Sequence, residues 1–277
     1  MTMLGLSMTF VAAEVVPLFQ ITLFTVIAYD LNASSYVIWL ITSQLIAIAA
    51  VTPFVGTLSD LLGRKGVVLT GLAFAVLGMI VTGTTPNMTG MIAGQVIGGV
   101  GIGIELLSAV AAVTEIVPTY RRGITIGYIV CGFFPFAPAS LYGQYLASHS
   151  WRWISVLVGT WVVIAFVILA IFYRPPPRVN SLNLSRRELI GRIDFVGSFL
   201  SLLGLILFMT GLNWAGQDYS WQSARVISTI TVGLALFAAF FLWEKFGAKY
   251  PMFPLALAQS PRPFIAVCVL AFTSGIK

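Results

Sequence analysis

Charged residues are scarce in this chain of 277 residues: Asp, Glu, Lys and Arg together make up 9% of it, while 58% of the residues are hydrophobic. Soluble domains carry about 25% charged residues. Because a surface with so little charge could not remain in water, the apolar excess must face lipid. The composition therefore excludes an ordinary soluble domain and predicts an integral membrane protein.

Histidine and cysteine are also scarce, with one His and two Cys. His149 has no second ligand at metal-binding spacing. Cys131 and Cys268 both lie in apolar runs, which favours buried packing over a disulfide framework. No Gly-x-x-x-x-Gly-Lys-Ser/Thr sequence is present for nucleotide phosphates, and no Ser or Cys has a base nearby in the sequence. We therefore expect no enzymatic activity, no catalytic residue, no metal and no cofactor.

Long apolar runs dominate the sequence. A membrane helix needs about 20 apolar residues, and continuous runs favour helices over a barrel, which would need short alternating segments. A ninth run begins at Pro263 and reaches Lys277. The eight earlier runs that qualify are 3–29, 37–56, 66–84, 91–117, 123–147, 153–173, 195–215 and 226–243.

The net charge of +6 reports topology rather than nucleic-acid binding. Cytoplasmic loops of membrane proteins carry the excess of Lys and Arg. A cytoplasmic N-terminus leaves only Arg152 and Arg225 outside, apart from Lys277 at the end of the chain. It places these cations inside: Arg64, Lys65, Arg121, Arg122, Arg174, Arg178, Arg186, Arg187, Arg192, Lys245, Lys249 and Arg262.

The spacing of the runs predicts an all-α polytopic membrane protein in four parts. Residues 1–173 form a six-helix half, 174–194 a cytoplasmic linker, 195–250 an extra helix pair, and 251–277 the start of a further half. The linker holds Ser185-Arg-Arg-Glu188, a capping-box spacing that suits a short surface helix on anionic headgroups. A plain basic loop explains the same residues equally well.

Two carboxyl groups lie inside predicted spans. In span 4, Glu105 shares a helical stripe with Gly94, Gly98 and Gly101, and the glycines indicate close helix packing. Packing does not account for the carboxyl group, which costs about 2.5–3.5 kcal/mol near mid-membrane. Glu14 lies three residues before Pro17, which is expected to bend span 1. Both glutamates are candidate proton carriers, and the alternative is a structural glutamate that is protonated or hydrogen-bonded.

Three further residues in the spans are candidates for a substrate cavity. Gln95 of span 4 is suited to bind a substrate or a neighbouring helix. Pro135 and Pro138 in span 5 disrupt its backbone hydrogen bonds, and such a helix can flex or line a cavity. The tryptophans near the outer boundary predict an interfacial belt.

The only charged cluster of the first hundred residues apart from isolated span-end or mid-span acids lies between spans 2 and 3. Residues 56–66 read Gly-Thr-Leu-Ser-Asp-Leu-Leu-Gly-Arg-Lys-Gly and predict a tight polar turn. The pattern of Gly56, Asp60, Gly63, Arg64 and Lys65 resembles the signature loop of the major facilitator superfamily.

Other segments carry the same resemblance. Pro118-x-x-Arg121-Arg122-Gly123 is similar to the family's second cytoplasmic turn, and Trp151-Arg152-Trp153 to its usual entry into span 6. The extra helix pair implies the fourteen-span drug:proton antiporter branch. Tyr173-Arg-Pro-Pro and Asn213-Trp214-Ala-Gly resemble fungal trichothecene efflux pumps, with fungal siderophore transporters close in pattern.

The resemblance implies a secondary transporter of the plasma membrane that exports small amphipathic molecules in exchange for protons. In this family, span 4 usually carries an arginine that is implicated in proton coupling, at the position where this chain has Gln95. The resemblance therefore implies that Glu14 and Glu105 are the better candidates for proton coupling here. It also implies fourteen spans, so that we expect a missing C-terminal half with partners for the charges of the 56–66 loop. Two alternatives remain: a siderophore or nutrient importer, and a truncated product without transport.

Overall fold

The computed structural model describes residues 1–33, 36–175 and 194–249 and the isolated positions 265, 266 and 269; for residues 60–62 it describes the backbone alone. The described part is helical, with one isolated bridge between Ala215 and Tyr219 in place of a sheet. Its helices are α1 Thr2–Asp30, α2 Val37–Leu62, α3 Arg64–Thr84, α4 Met88–Ile116, α5 Arg122–Cys131, α6 Ala139–Ala147, α7 Arg152–Phe172, α8 Phe195–Trp214 and α9 Ala224–Phe246.

Eight helical stretches in the described part are long and apolar enough to cross a membrane. They coincide with the eight predicted runs, which confirms the all-α polytopic fold. Most of the predicted linker and of the predicted ninth span lies outside the described residues, as does the predicted surface helix that begins at Ser185.

Helix α4 is the centre of the first six spans, because it packs against α1, α2 and α3, while α7 covers α1 and α3. The packed faces are apolar, and Leu6, Phe19, Leu72 and Leu169 are almost completely buried. In hydrocarbon this burial brings no hydrophobic gain over lipid contact, so that close packing and polar contacts must hold the helices together.

The glycines of α4 make this packing close. A Cβ atom on Gly101 would lie 2.5 Å from the backbone nitrogen of Ala75 in α3, and one on Gly99 would lie 2.7 Å from the carbonyl oxygen of Gln44 in α2. Side chains larger than hydrogen do not fit at these contacts. The prediction that the glycine stripe serves helix packing is confirmed.

The fifth span is broken in the middle. Helix α5 ends at Cys131, a 3-10 turn covers Phe134–Phe136, and α6 begins at Ala139. Proline lacks the backbone N–H that a continuous helix requires, and Pro135 and Pro138 both lie in the break. The predicted disruption is confirmed. Cys131 is exposed, so the expectation that it is buried is wrong for this residue: it ends a helix on an uncovered face.

Helices α8 and α9 pack chiefly against each other, and α8 also contacts α2. Their contact is again made by glycine, since a Cβ on Gly233 would lie 2.7 Å from the backbone nitrogen of Phe208. At one end of the pair, Trp243 Nε1 donates to Asp194 at 3.0 Å. At the other end, Trp39 of α2 donates to Asp218 at 3.1 Å and joins the pair to the bundle.

Candidate functional site

A single glycine separates α2 from α3. Gly63 has φ of 100° and ψ of 139°, a conformation that is essentially restricted to glycine. The predicted turn was wider, because it extended from residue 56 to residue 66. The helix in fact continues through Leu62, and Gly56 lies inside α2, where an added Cβ would meet no atom within 4 Å. The side chain of Asp60 lies outside the described residues.

Arg64 and Lys65 begin α3 and bind the ends of two other helices. The Arg64 guanidinium donates from Nε to Glu115 Oε1 at 2.8 Å, with its NH2 nitrogen 2.6 Å from the same oxygen. Lys65 Nζ donates to the carbonyl oxygen of Ala170 at 2.6 Å. A cation near the carboxyl end of a helix is favourable, and Ala170 lies in the last turn of α7.

These contacts change the interpretation of the loop. Its cations were expected to find partners in a second half of the protein, but Arg64 pairs with Glu115 in the same bundle. The reason is geometric: α4 ends on the side where α3 begins, which brings its last turn beside Arg64. Glu115, at the end of α4, is therefore paired rather than only solvated.

Tyr173 joins this cluster, although its role in a site could not be seen in the sequence. It follows the last residue of α7 and is 1% exposed. Burial raises the pKa of the Tyr173 phenol to about 12, with a further increase from the Glu115 charge and a decrease from Arg64. The hydroxyl has no hydrogen-bond partner among the described residues. It is therefore a neutral, buried group beside the Arg64–Glu115 pair.

The two candidate proton carriers lie at the same depth. Glu14 is twelve residues from the start of α1 and Glu105 is eleven from the end of α4, which places them about 18 and 17 Å along their helices. Successive spans alternate in direction, so the start of α1 and the end of α4 are on the same side. In a core about 30 Å thick, both carboxyl groups lie near the middle.

Their surroundings differ. Glu14 is exposed, on a face of α1 that the described helices leave open. Glu105 is 0% exposed, and neither of its carboxyl oxygens has a hydrogen-bond partner among the described residues. Ser108, one turn further along α4, is likewise buried and without a partner there. An enclosed carboxyl group without partners is energetically costly when it is ionised.

The broken fifth span lies beside Glu14. A Cβ on Gly132 would lie 3.1 Å from Ser7 Oγ and 3.2 Å from Val11, and one on Gly143 would lie 3.0 Å from Thr22 Oγ1. These contacts bracket the stretch of α1 between residues 11 and 22. The break with Pro135 and Pro138 therefore runs at the depth of Glu14, and Phe134, Tyr128 and Tyr145 of the same span expose most of their surface.

Gln95 is not part of this open face. It is 1% exposed, and its Oε1 atom has no hydrogen-bond partner among the described residues. In this conformation, its amide is enclosed within the bundle instead of facing an open cavity. The sequence could not show that Gln95 is enclosed while Glu14 is exposed, because each is a polar residue within an apolar helix.

The second cytoplasmic turn is short and exposed. Arg121 ends the 3-10 turn Thr119–Arg121, with its guanidinium 5.3 Å from the centre of the Tyr120 ring. Arg122 begins α5, and its Nε donates to the carbonyl oxygen of Val117 at 3.4 Å. Both side chains are exposed, so the turn presents two cations at the end of α4.

Trp151 makes a structural contact inside the bundle that the predicted belt of interfacial tryptophans did not include. Trp151 is 5% exposed and donates from Nε1 to Asp30 at 2.7 Å. This burial differs from the predicted interfacial position, because Asp30 at the end of α1 supplies an acceptor. By contrast, Trp153 and Trp221 are 53% and 61% exposed.

The described residues contain no group of three or more His, Cys, Asp or Glu that could hold a metal ion.

Comparison with known proteins places the chain among transporters. The MFS-type transporter pydD of an Acremonium species is 30% identical over 263 residues, which are 90% of this chain and 44% of that protein. The MFS-type transporter gkaD of Penicillium citrinum is 27% identical over 79% of this chain and 37% of its own length. An efflux pump of Gibberella fujikuroi is 28% identical over 97% and 48%.

This chain therefore spans less than half the length of each of these relatives. All of them carry names of transporters or efflux pumps, which agrees with the eight membrane-spanning stretches. Residues 2–276 match the family described as fungal trichothecene efflux pump. The chain belongs to this family of major facilitator transporters.

Proposed function

We propose that this chain supplies one half of a proton-coupled exporter of small amphipathic organic molecules, which works by alternating access. The names of the relatives, several of them efflux pumps, support export, and the family description supports toxin-like substrates. One observation carries the proton coupling: Glu105 is 0% exposed near mid-membrane, and its carboxyl oxygens have no partner among the described residues.

The free-energy cost of ionising Glu105 inside the membrane would couple its protonation to the conformation of the protein. An ionised group at the centre of a membrane helix costs about 2.5–3.5 kcal/mol, which corresponds to roughly a 100-fold change in a two-state equilibrium. A conformation that encloses Glu105 therefore favours its protonated form, and one that opens α4 to water favours release. Protonation and conformation are linked through this one residue.

In this proposal, Glu14 and the broken fifth span form the face of the bundle that contacts the substrate. Glu14 faces an open side of α1, and the Pro135–Pro138 break lies at its depth with exposed aromatic residues beside it. A substrate at this level contacts an acidic group and apolar rings together, which suits an amphipathic molecule. Gln95 becomes available only in a state in which the helices around α4 separate.

The Gly63 turn serves as a joint on the cytoplasmic side in this proposal. Arg64 and Lys65 hold the start of α3 to the ends of α4 and α7, so these helix ends move together. Asp60, Gly56, Arg121 and Arg122 complete the cytoplasmic face, where a second half closes the gate.

The charge pattern and the order of the apolar runs support the remaining assignments of this proposal. We assign residues 1–173 to the transporting bundle, 174–194 to a cytoplasmic linker, 195–250 to an accessory helix pair, and 251–277 to the beginning of a second bundle. The N-terminus is cytoplasmic by the distribution of Lys and Arg, and the plasma membrane is the site of an exporter of toxins. Transport without chemical change of the substrate makes the protein a non-enzyme.

Transport by the full-length protein in proteoliposomes tests the coupling. Glu14→Gln and Glu105→Gln are each expected to abolish transport driven by a pH gradient while the protein still inserts, because an amide cannot carry a proton. Asp218→Asn is the matched control, since it makes the same chemical change outside the spans and its amide oxygen can still accept the bond from Trp39 Nε1. Undiminished pH-driven transport in both glutamate variants would contradict the proposal.

The direction of transport is tested separately. Inside-out and right-side-out vesicles with a proton gradient distinguish an exporter from an importer. Accumulation of substrate on the cytoplasmic side would support the siderophore or nutrient importer instead. The chain of 277 residues, reconstituted alone, tests the third possibility, a product that inserts but does not transport.

A further inference from the structure

A groove on the outer surface of the bundle runs between α3 and α7, separate from the face that carries Glu14. It has a volume of about 430 Å³. Its walls are formed by Val76 and Ile80 of α3 and by Val156, Val163 and Ile164 of α7. Ile80 and Val156 are each 54% exposed, so the groove opens outwards. We call it the α3–α7 groove.

The hydroxyl groups in this groove already have partners within the protein. Thr84 Oγ1 donates to the carbonyl oxygen of Ile80 at 2.7 Å, and Thr160 Oγ1 to that of Val156 at 2.7 Å. Ser155 Oγ lies 3.4 Å from Thr82 Oγ1. Because these groups are already bonded within the bundle, the walls present a hydrocarbon surface to whatever fills the groove.

One end of the groove carries a cation. Arg152 begins α7 and lies at the end of α3, where NH1 donates to the carbonyl oxygens of Gly83 and Thr85 at 3.2 and 2.8 Å. Its guanidinium lies 4.5 Å from the centre of the Trp151 ring. No described carboxylate is within ion-pair distance of it. The charge of Arg152 is therefore balanced by no acidic residue in the described part.

The length of the groove matches one leaflet. From Arg152 to Ile164, α7 rises about 18 Å, and half of the hydrocarbon core is about 15 Å thick. The cation lies at the end of the helices, at the level of headgroups, and the apolar walls extend from there towards the membrane centre. Arg is well suited to bind phosphate oxygens.

We propose that the α3–α7 groove binds an anionic phospholipid, with an acyl chain between α3 and α7 and the phosphate on Arg152. Charge complementarity favours an anionic lipid over a neutral one. The carbonyl groups of Gly83 and Thr85 occupy only NH1 of the guanidinium, which leaves its other two nitrogens to donate to a phosphate. The site is independent of Glu14 and Glu105, and so of the proposed transport mechanism.

Native mass spectrometry of the purified chain, released from mixed micelles with equal amounts of phosphatidylglycerol and phosphatidylcholine, tests the site. The wild type is expected to retain phosphatidylglycerol preferentially. Arg152→Gln is expected to lower this preference about fivefold, the factor that corresponds to about 1 kcal/mol for one cation at a lipid surface. Arg152→Lys keeps the charge and is expected to keep most of the preference.

A second variant tests the groove without touching the charge. Gly159 lines the groove, and an added Cβ would lie 3.4 Å from Met79 Cβ, which is an ordinary contact. Gly159→Leu is expected to fill the groove and to lower retained phosphatidylglycerol. Gly127→Leu in α5, where an added Cβ meets no atom within 4 Å, is the matched control and is expected to change nothing.

Several results would overturn the proposal. Equal retention of both lipids by the wild type would point to a neutral occupant, and a dimer without bound lipid would point to a second copy of the chain. An undiminished preference in both Arg152→Gln and Gly159→Leu would place lipid selection elsewhere. Equal losses in Arg152→Gln and Arg152→Lys would reduce Arg152 to its structural bonds with the end of α3.

Discussion

Gly78 and Gly98 face each other where α3 crosses α4, but the two positions have unequal room. A Cβ on Gly78 would lie 2.5 Å from the Cα atom and 2.6 Å from the nitrogen of Gly98. A Cβ on Gly98 would meet only the Cα atom of Gly78, at 3.8 Å. The same substitution by alanine is therefore expected to have different consequences on the two sides of one contact.

The magnitude follows from the backbone atoms involved. Relief of the 2.5 Å contact requires α3 and α4 to separate by about 1 Å, since ordinary contacts begin near 3.4 Å. Overpacking of this kind costs about 1–3 kcal/mol, partly offset by the preference of helices for alanine over glycine, about 1 kcal/mol. Because the atoms that clash with the added Cβ belong to the backbone of Gly98 and cannot rotate away, the upper end of this range applies: we expect Gly78→Ala to destabilise the bundle by about 2 kcal/mol and Gly98→Ala to be neutral or slightly stabilising.

Unfolding of the purified protein in detergent, followed by tryptophan fluorescence during titration with sodium dodecyl sulfate, measures both variants against the wild type. Each is the control for the other, because residue types, helices and depth are nearly the same. Equal destabilisation by the two substitutions would refute the assignment of the contact to these backbone atoms, and so would a stable Gly78→Ala variant.

Two further predictions concern the cytoplasmic ends of the helices. Tyr173→Phe removes a phenol whose pKa is raised from 10.0 to about 12. Stability linked to such a group is present below pH 10 and is lost as the pH rises to about 12, by up to about 3 kcal/mol. Thermal unfolding of Tyr173→Phe should therefore depend less on pH in this window than that of the wild type or of the exposed control Tyr120→Phe; parallel curves would count against it. Gly63→Ala places a side chain at a φ of 100° and should cost about 1–3 kcal/mol, measured by the same titration. Gly66→Ala, where a Cβ meets nothing within 4 Å, is its control, and equal stability of the two would remove the conformational argument.

The signature loop illustrates how far a motif can be interpreted. Its residue types correctly indicated a charged connection between spans 2 and 3, and the family followed from them. The position of the turn and the partner of Arg64 did not follow, because the motif does not state where α2 ends or which helix end lies opposite. The pair with Glu115 joins residues that are 51 positions apart in the sequence, and such a contact depends on how α3 packs against α4.

The two glutamates show the same limit within the membrane. Sequence position alone puts Glu14 and Glu105 at similar depths, because depth follows from the rise of a helix and the alternation of the spans. It does not reveal which of them is enclosed, since both are surrounded by apolar residues in the sequence. Only the packing of α4 among α1, α2 and α3 distinguishes the buried Glu105 from the exposed Glu14.

Composition and the length of the apolar runs were enough to determine that this chain is a helical membrane protein with eight spans in its described part. The physical reason is that backbone groups in lipid must be satisfied within each helix, so every span can be recognised by itself. Tertiary structure alone decided the contacts between spans: the single-residue turn at Gly63, the burial of Trp151 against Asp30, and the groove beside Arg152. In lipid these contacts rest on shape and individual polar bonds, and neither leaves a periodic pattern in the sequence.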